Sequence, residues 1–201
     1  MNANSHLHIL MNVHKIGLPI TGTVSRIIEQ PHSKSHNSHL PEWAKLPELK
    51  IDVDSPFHAK LPAHRLANTP EQAGSVILPK VGESIITIVE NFVNDTLILS
   101  ARPNELSKES IASWKHYHDF INYLELGQEI EGTVLRSEPF GLFININGPG
   151  MGIIDVALMK NLPGTPLPAN PQGWPQSGDK ITVCVNGFRL GNKQVEVGWV
   201  S

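Results

Sequence analysis

Residues 16–27 read IGLPITGTVSRI and residues 126–137 read LGQEIEGTVLRS. Gly17, Ile20, Gly22, Thr23, Val24 and Arg26 of the first stretch return in the second as Gly127, Ile130, Gly132, Thr133, Val134 and Arg136, at one constant separation. A repeat is established when further phrases return in the same order. AKLPAHRL, from Ala59, lies on GIIDVALM, from Gly152, so that Leu61 meets Ile154 and Ala63 meets Val156. GESIITIVENF, from Gly82, lies on GDKITVCVNGF, from Gly178, with Ile85 over Ile181, Val89 over Val185 and Phe92 over Phe188. The chain therefore carries two copies of one unit. The separation shortens after the first phrase because the first copy holds extra residues around EQPHSKSHNSHLPEWAKLPE, which reads as a loop insertion near 29–48.

Each phrase has strand character, with β-branched residues alternating over short runs closed by Gly, Pro, Asn and Ser. Five strands per copy account for the pattern, and in the second copy they are expected at 129–136, 141–147, 151–155, 180–187 and 194–200. NGPG, from Asn147, is a tight-turn signal between the second and third of these. NLPGTPLPANPQGWPQSGD, from Asn161, is too rich in Pro and Gly for strand or long helix and reads as the connection from the third strand to the fourth. Between the copies the period changes. NELSKESIASWKHYHDFINYLEL, from Asn104, puts Ile111, Trp114, His118 and Ile121 on one side at helical spacing, with Ser107 placed to cap the start. Trp114 and Phe120 on this helix are expected to be core between the two copies.

A five-stranded barrel with a long third connection is the OB architecture. The fold expected is all-β, two five-stranded OB-type barrels joined by an α-helix. The division is a tail over 1–15, a degenerate barrel over 16–103, a linker helix over 104–123 and a second barrel over 124–201.

Composition narrows the function classes. Of 201 residues, 40% are hydrophobic and 17% charged, which suits one large or two small globular domains. A net charge of −3 argues against bulk attraction to nucleic acid or an acidic membrane, so any such contact must be local. The first residues, MNANSHLHILMNVHK, lack the basic and apolar regions of a signal peptide, no run reaches the length of a membrane span, and Cys184 has no partner for a disulfide. A cytoplasmic location is the expectation, with no membrane partner.

LGQEIEGTVLRSEPFGLFININGPGMGIIDVALM, followed by SGDKITVCVNGFRLGNKQVEVGW, resembles the S1 RNA-binding domain, the repeat unit of the large multi-domain protein of the bacterial small ribosomal subunit. The opening Gly-x-x-x-x-Gly-x-Val, the central Phe-Gly-x-Phe and the later Gly-Asp-x-x-x-x-x-Val fall in the order of that family, over Leu124 to Val200. The first copy is similar in its leucine-proline-alanine phrase and its hand-over to a Trp-containing helix, but it lacks the aromatic doublet. Stacking there would fall to the displaced Phe57 or Trp43, and the copy is expected to serve structure, docking or weak phosphate contact. The resemblance implies single-stranded RNA as ligand, with Phe140 and Phe143 stacking bases once Gly141 bends the strand entry to bring both rings to one face. Arg136, Arg189 and Lys193 are the candidate phosphate donors. Asp155 stands where family members often carry a histidine facing the nucleic acid. A carboxylate there disfavours phosphate but can accept from a base amino group.

The remaining motifs point away from chemistry. The histidines of HSKSHNSH, 32–39, with His6, His8 and His14, lack a thiolate or carboxylate frame, so no metal site is expected. Cys184 sits mid-strand and reads as a buried thiol. Phosphate loop, nucleophile elbow and paired carboxylates are all missing from the sequence, so no cofactor and no catalytic residue is expected. The chain reads as a non-catalytic RNA-binding protein of translation or RNA metabolism, with the ribosome or RNA-processing proteins as further partners. The alternative is an adaptor that docks on the ribosome or another RNA machine with little RNA contact. A third class, barrels serving a catalytic chain, finds no residue in its favour.

Overall fold

The computed structural model describes residues 12–29, 41–157, 164, 166–168 and 170–200. The alternating runs form strands β1 (Pro19–Ile28), β2 (Glu48–Val53), β3 (His58–Pro62), β4 (Ser84–Val93) and β5 (Thr96–Ser100), and then, after helix α1 (Lys108–Ile121), β6 (Glu129–Glu138), β7 (Gly141–Asn145), β8 (Met151–Asp155), β9 (Lys180–Arg189) and β10 (Gln194–Trp199). Each set of five closes on itself, in the order β1-β2-β3-β5-β4 and β6-β7-β8-β10-β9. The third and fifth strands of each set run parallel and the other pairs antiparallel. These are two OB-type barrels.

The repeated residues are those whose backbone roles the barrel imposes. A Cβ on Gly22 would lie 2.5 Å from Ile51 Cγ2, and one on Gly132 would lie 2.4 Å from Ile144 Cγ2, so in both copies the second strand crosses the first too closely for any side chain. Two residues on, Val24 donates to the Glu83 carbonyl at 3.0 Å while Gly82 donates to the Val24 carbonyl at 2.8 Å. Val134 repeats this with Asp179 and Gly178 at 2.9 Å each. The acid of each phrase closes its own turn, Glu83 accepting from the Lys80 amide at 2.9 Å and Asp179 from the Gln176 amide at 2.7 Å. Gly-Thr-Val and Gly-Asp or Gly-Glu recur because they form one hydrogen-bonded corner twice.

Alternation sends Val24, Leu49, Ile51, Leu61, Leu97 and Leu99 into the first barrel, and Val134, Leu142, Ile144, Ile154, Val183 and Val195 into the second, all at 3% exposure or less. Burying a side chain of this kind contributes about 1.5 to 3 kcal/mol. Two strands run past their expected ends. β6 reaches Glu138 and β9 reaches Arg189, because each absorbs a bulge, at Leu135 and at Asn186, and resumes pairing beyond it. The expected insertion near 29–48 lies largely outside the described residues. Its end forms a 3-10 turn over Glu42–Lys45, and Glu48 already belongs to β2.

The chain divides after Trp114 into a first and a second compact unit, so the boundary falls within α1. Ser107 caps the helix, accepting from the Ser110 amide at 3.1 Å. Within the first unit the Trp114 ring covers Gly17, where a Cβ would come within 2.2 Å of the indole. Within the second, Tyr117 is fully buried and donates to the Gln194 carbonyl of β10 at 2.9 Å, while the Phe120 ring lies over Gly148 of the β7–β8 turn.

Candidate nucleic-acid interface

A side chain reaches the outer face of a barrel by strand parity, and a bulge resets that parity. Val134 points inward opposite Ile144. Strict alternation would send Arg136 inward too, but the extra residue Leu135 turns it outward, opposite Phe143. Phe143 in turn stands opposite Ile153 of β8, and Ile153 opposite Glu196 of β10. One row of outward positions therefore runs Arg136, Phe143, Ile153, Glu196 across four strands.

Phe140 joins this face from the turn before β7. Gly141 has φ of +151°, and a Cβ there would lie 1.8 Å from the Ile154 carbonyl oxygen, so only glycine fits. Its conformation brings residues three apart to the same side. The Phe140 and Phe143 rings meet edge to face, with centroids 5.9 Å apart and planes at 88°. The two rings are not equivalent. Phe140 is 50% exposed, whereas Phe143 is 7% exposed, with the Arg136 guanidinium carbon 4.3 Å from its centroid. The expectation of two open rings needs correcting accordingly. Burial of the apolar strip formed with Ile153, itself 4% exposed, draws Phe143 into the face and leaves Phe140 as the open surface. Arg136 also approaches Glu138 at 3.6 Å and remains 61% exposed along its side chain.

The remaining candidates sit at the β8–β9–β10 end of the same barrel. Arg189, the last residue of β9, places Nη2 2.7 Å from Asp155 Oδ2 and Nε 2.6 Å from Glu196 Oε1. Its fork is occupied by two carboxylates, which changes its expected place as an open phosphate donor. Burial pulls the guanidinium pKa down, but the hydrogen bonds and charges of Glu196 and Asp155 outweigh it and hold the group above its ordinary value. Asp155 is held below the usual carboxylate range chiefly by the hydrogen bond from Arg189, against burial, and its Oδ1 accepts from the Ala157 amide at 2.9 Å. Both of its oxygens are thus engaged within the barrel. Lys193 follows the 3-10 turn Leu190–Asn192 in a left-handed conformation, φ 52°, and its partial burial lowers the ammonium pKa. Glu196 was not among the residues singled out from sequence. Its signal was its outward place in the alternation QVEVGW, two positions from Gln194.

The displaced aromatics of the first copy have structural partners. Phe57 packs edge-on to Phe92 at 4.8 Å and Trp43 to His64 at 5.1 Å. Cys184 is buried. His14 hydrogen-bonds Ser55 Oγ at 2.7 Å, and the histidines from His32 to His39 lie outside the described residues. Among the described residues no group of three or more His, Cys, Asp and Glu could hold a metal ion, and no helix is long and apolar enough to cross a membrane.

The fold is that of paired OB-type barrels, and the second resembles the S1 RNA-binding domain in the order of its motifs. No family profile matches the chain. It is similar to the polyribonucleotide nucleotidyltransferase of Bartonella bacilliformis, 26% identical over 175 residues, which is 84% of this chain and 23% of that protein. It is also similar to the enzyme of the same name from Chelativorans sp., 23% identical over 183 residues, 87% of this chain and 24% of that protein. The chain thus spans about a quarter of the length of these relatives. Among solved structures it is similar to a multidomain protein with nucleic acid binding domains from Streptococcus pneumoniae, at 15% identity and a TM-score of 0.29, covering 91% of this chain and 51% of that one. A second is the protein MJ1198 of Methanocaldococcus jannaschii, at 23% identity and a TM-score of 0.30, covering 38% of this chain and 93% of that one.

Proposed function

We propose that the chain is a non-catalytic RNA-binding protein that holds single-stranded RNA on the outer face of its second barrel, in translation or RNA metabolism. The half-exposed ring of Phe140, fixed edge-on to Phe143 beside Arg136, carries the reading. A base laid on Phe140 gains stacking without sequence preference. Arg136 is exposed enough to leave the Phe143 ring and take a phosphate, which would open a second stacking surface at the cost of one cation–π contact. The names of the matched relatives, enzymes of polyribonucleotides, are compatible with an RNA ligand, and the activity of those whole enzymes is not extended to this chain.

The test is fluorescence anisotropy with a labelled single-stranded oligoribonucleotide. Phe140→Ala removes a half-exposed ring, so melting should be little changed while Kd rises roughly 5- to 150-fold, the equivalent of one lost base stack. Parent-like affinity in a folded Phe140→Ala protein would overturn the assignment. The adaptor reading has one observation of its own, the closure of Arg189 between Asp155 and Glu196, which commits that guanidinium to the barrel.

A further inference from the structure

The repeat lets each position of the RNA face be traced to its counterpart in the first barrel. Gly22 and Gly132 fix the superposition, as do the bulges that follow Val24 and Val134. Arg136 pairs with Phe143, and Arg26 pairs with Lys50, so Lys50 occupies the place of Phe143. Phe143 pairs with Ile153, and Lys50 pairs with Lys60, so Lys60 occupies the place of Ile153. The outward row that reads Arg-Phe-Ile in the second barrel reads Arg26-Lys50-Lys60 in the first. An apolar strip has been exchanged for two ammonium groups beside a retained guanidinium.

A cleft of about 510 Å³ opens on this face, and Lys50, Lys60, Phe57 and His58 line it together with Glu48 and Asp52. Lys60 is paired with Glu48 at 2.8 Å. Arg26 and Lys50 are exposed, and no ion pair holds either among the described residues. Three cations against Glu48 and Asp52 leave this face with an excess of positive charge. On the second barrel, Arg136, Arg189 and Lys193 are matched by Glu138, Asp155 and Glu196. In a chain of net charge −3 the first face is a local reversal of sign. Strands about 4.8 Å apart carry the three cations at paired positions on neighbouring strands.

We infer that the first barrel carries a separate site for the phosphodiester backbone of single-stranded nucleic acid, on the row Arg26, Lys50 and Lys60. The site rests on the reading above only in taking RNA as the natural ligand. It binds by charge, since its row holds no ring and Phe57 of the cleft is engaged edge-on with Phe92. The two barrels thus divide the work, stacking on the second, with Arg136 as its phosphate contact, and most of the phosphate neutralisation on the first.

The experiment uses the whole chain and two labelled probes, a single-stranded oligoribonucleotide and an abasic oligomer of the same length and charge, each titrated at several salt concentrations. Arg26→Gln, Lys50→Gln and Lys60→Gln combined should flatten the dependence of log K on log salt by about two units and abolish binding of the abasic probe. Lys50→Gln alone, a change at one exposed position, should flatten it by about 0.7 unit. Lys50→Arg with Lys60→Arg should restore the parent slope. Phe140→Ala should weaken only the base-bearing probe. If the glutamine variants keep the parent slope and still bind the abasic probe, the inference is wrong, and an accompanying Phe140→Ala defect leaves the stacking site standing. If Phe140→Ala changes neither probe while the glutamine variants lose the abasic one, the stacking site fails and this one holds. A parent chain that does not bind the abasic probe overturns the inference at once.

Discussion

Arg189 determines how the β8–β10 end of the second barrel behaves, because its single charge serves two carboxylates. Asp155→Asn removes one charged hydrogen bond and leaves the other, so the expected loss is about 1 to 2 kcal/mol. The Asp155 carboxyl is held below its ordinary range in the folded chain. Its stabilising contribution is therefore complete above the unfolded-state value of about 4 and disappears as pH falls through the lower folded value. Thermal melts of parent and Asp155→Asn should differ at pH 7 and draw together as the pH falls below about 4. A gap that persists in acid would locate the effect in packing rather than in the carboxylate charge. Arg189, Asp155 and Lys193 were all legible in the sequence as charged groups near the face. Their pairing was not, since Glu196 comes from another strand and meets Arg189 only through the cross-strand register that the Asn186 bulge sets. The same holds for Phe143. The Phe-Gly-x-Phe spacing revealed the doublet and its glycine, but Ile153, which shares its burial, stands on the neighbouring strand.

At the scale of the strand, the recurring Gly-Thr-Val phrase explains both the success and the limits of reading this chain. Gly22 and Gly132 are legible as a repeat because close crossing of the first two strands tolerates no Cβ in either copy. Gly132→Ala pushes a methyl to 2.4 Å from Ile144 Cγ2 and 3.2 Å from the Asn145 carbonyl oxygen, so it should destabilise the second barrel by about 1 to 3 kcal/mol. Gly22→Ala should do the same to the first, where the Asp52 carbonyl oxygen is 2.8 Å away. Denaturant unfolding of the two variants checks this, and an unchanged midpoint in either would show that the crossing can open. Bulges, in contrast, left no composition signal. Leu135 and Asn186 are ordinary strand residues, and only pairing shows that two residues there oppose one. For that reason the expected strand centres matched while two strand ends fell short.

For the whole molecule, two copies of one fold have diverged on their outer faces while keeping their corners. Hydrophobic burial and backbone closure constrain Val24 and Val134 alike, whereas the outward row is free to change from Phe and Ile to Lys. A face is therefore less legible than a core, and the meaning of Lys50 emerges only when register aligns it with Phe143. The helix between the copies gives the final test of how self-sufficient each barrel is. Tyr117 is fully buried, burial pushes its phenol pKa up, and its hydroxyl donates to the Gln194 carbonyl on β10, so the C-terminal half of α1 belongs to the second unit by packing and by hydrogen bonding. A fragment from Asn104 to Ser201 contains this helix and a closed set of five strands, and it should unfold in one cooperative transition. A fragment from Glu125 to Ser201 keeps the strands but exposes the ground that Tyr117 and Phe120 cover and leaves a β10 carbonyl without its donor. It should melt well below the longer fragment, by an amount consistent with the roughly 3 to 5 kcal/mol lost when a large buried aromatic is removed. Calorimetry of the two fragments measures the difference, and equal melting temperatures would show that the helix contributes nothing to the barrel it covers.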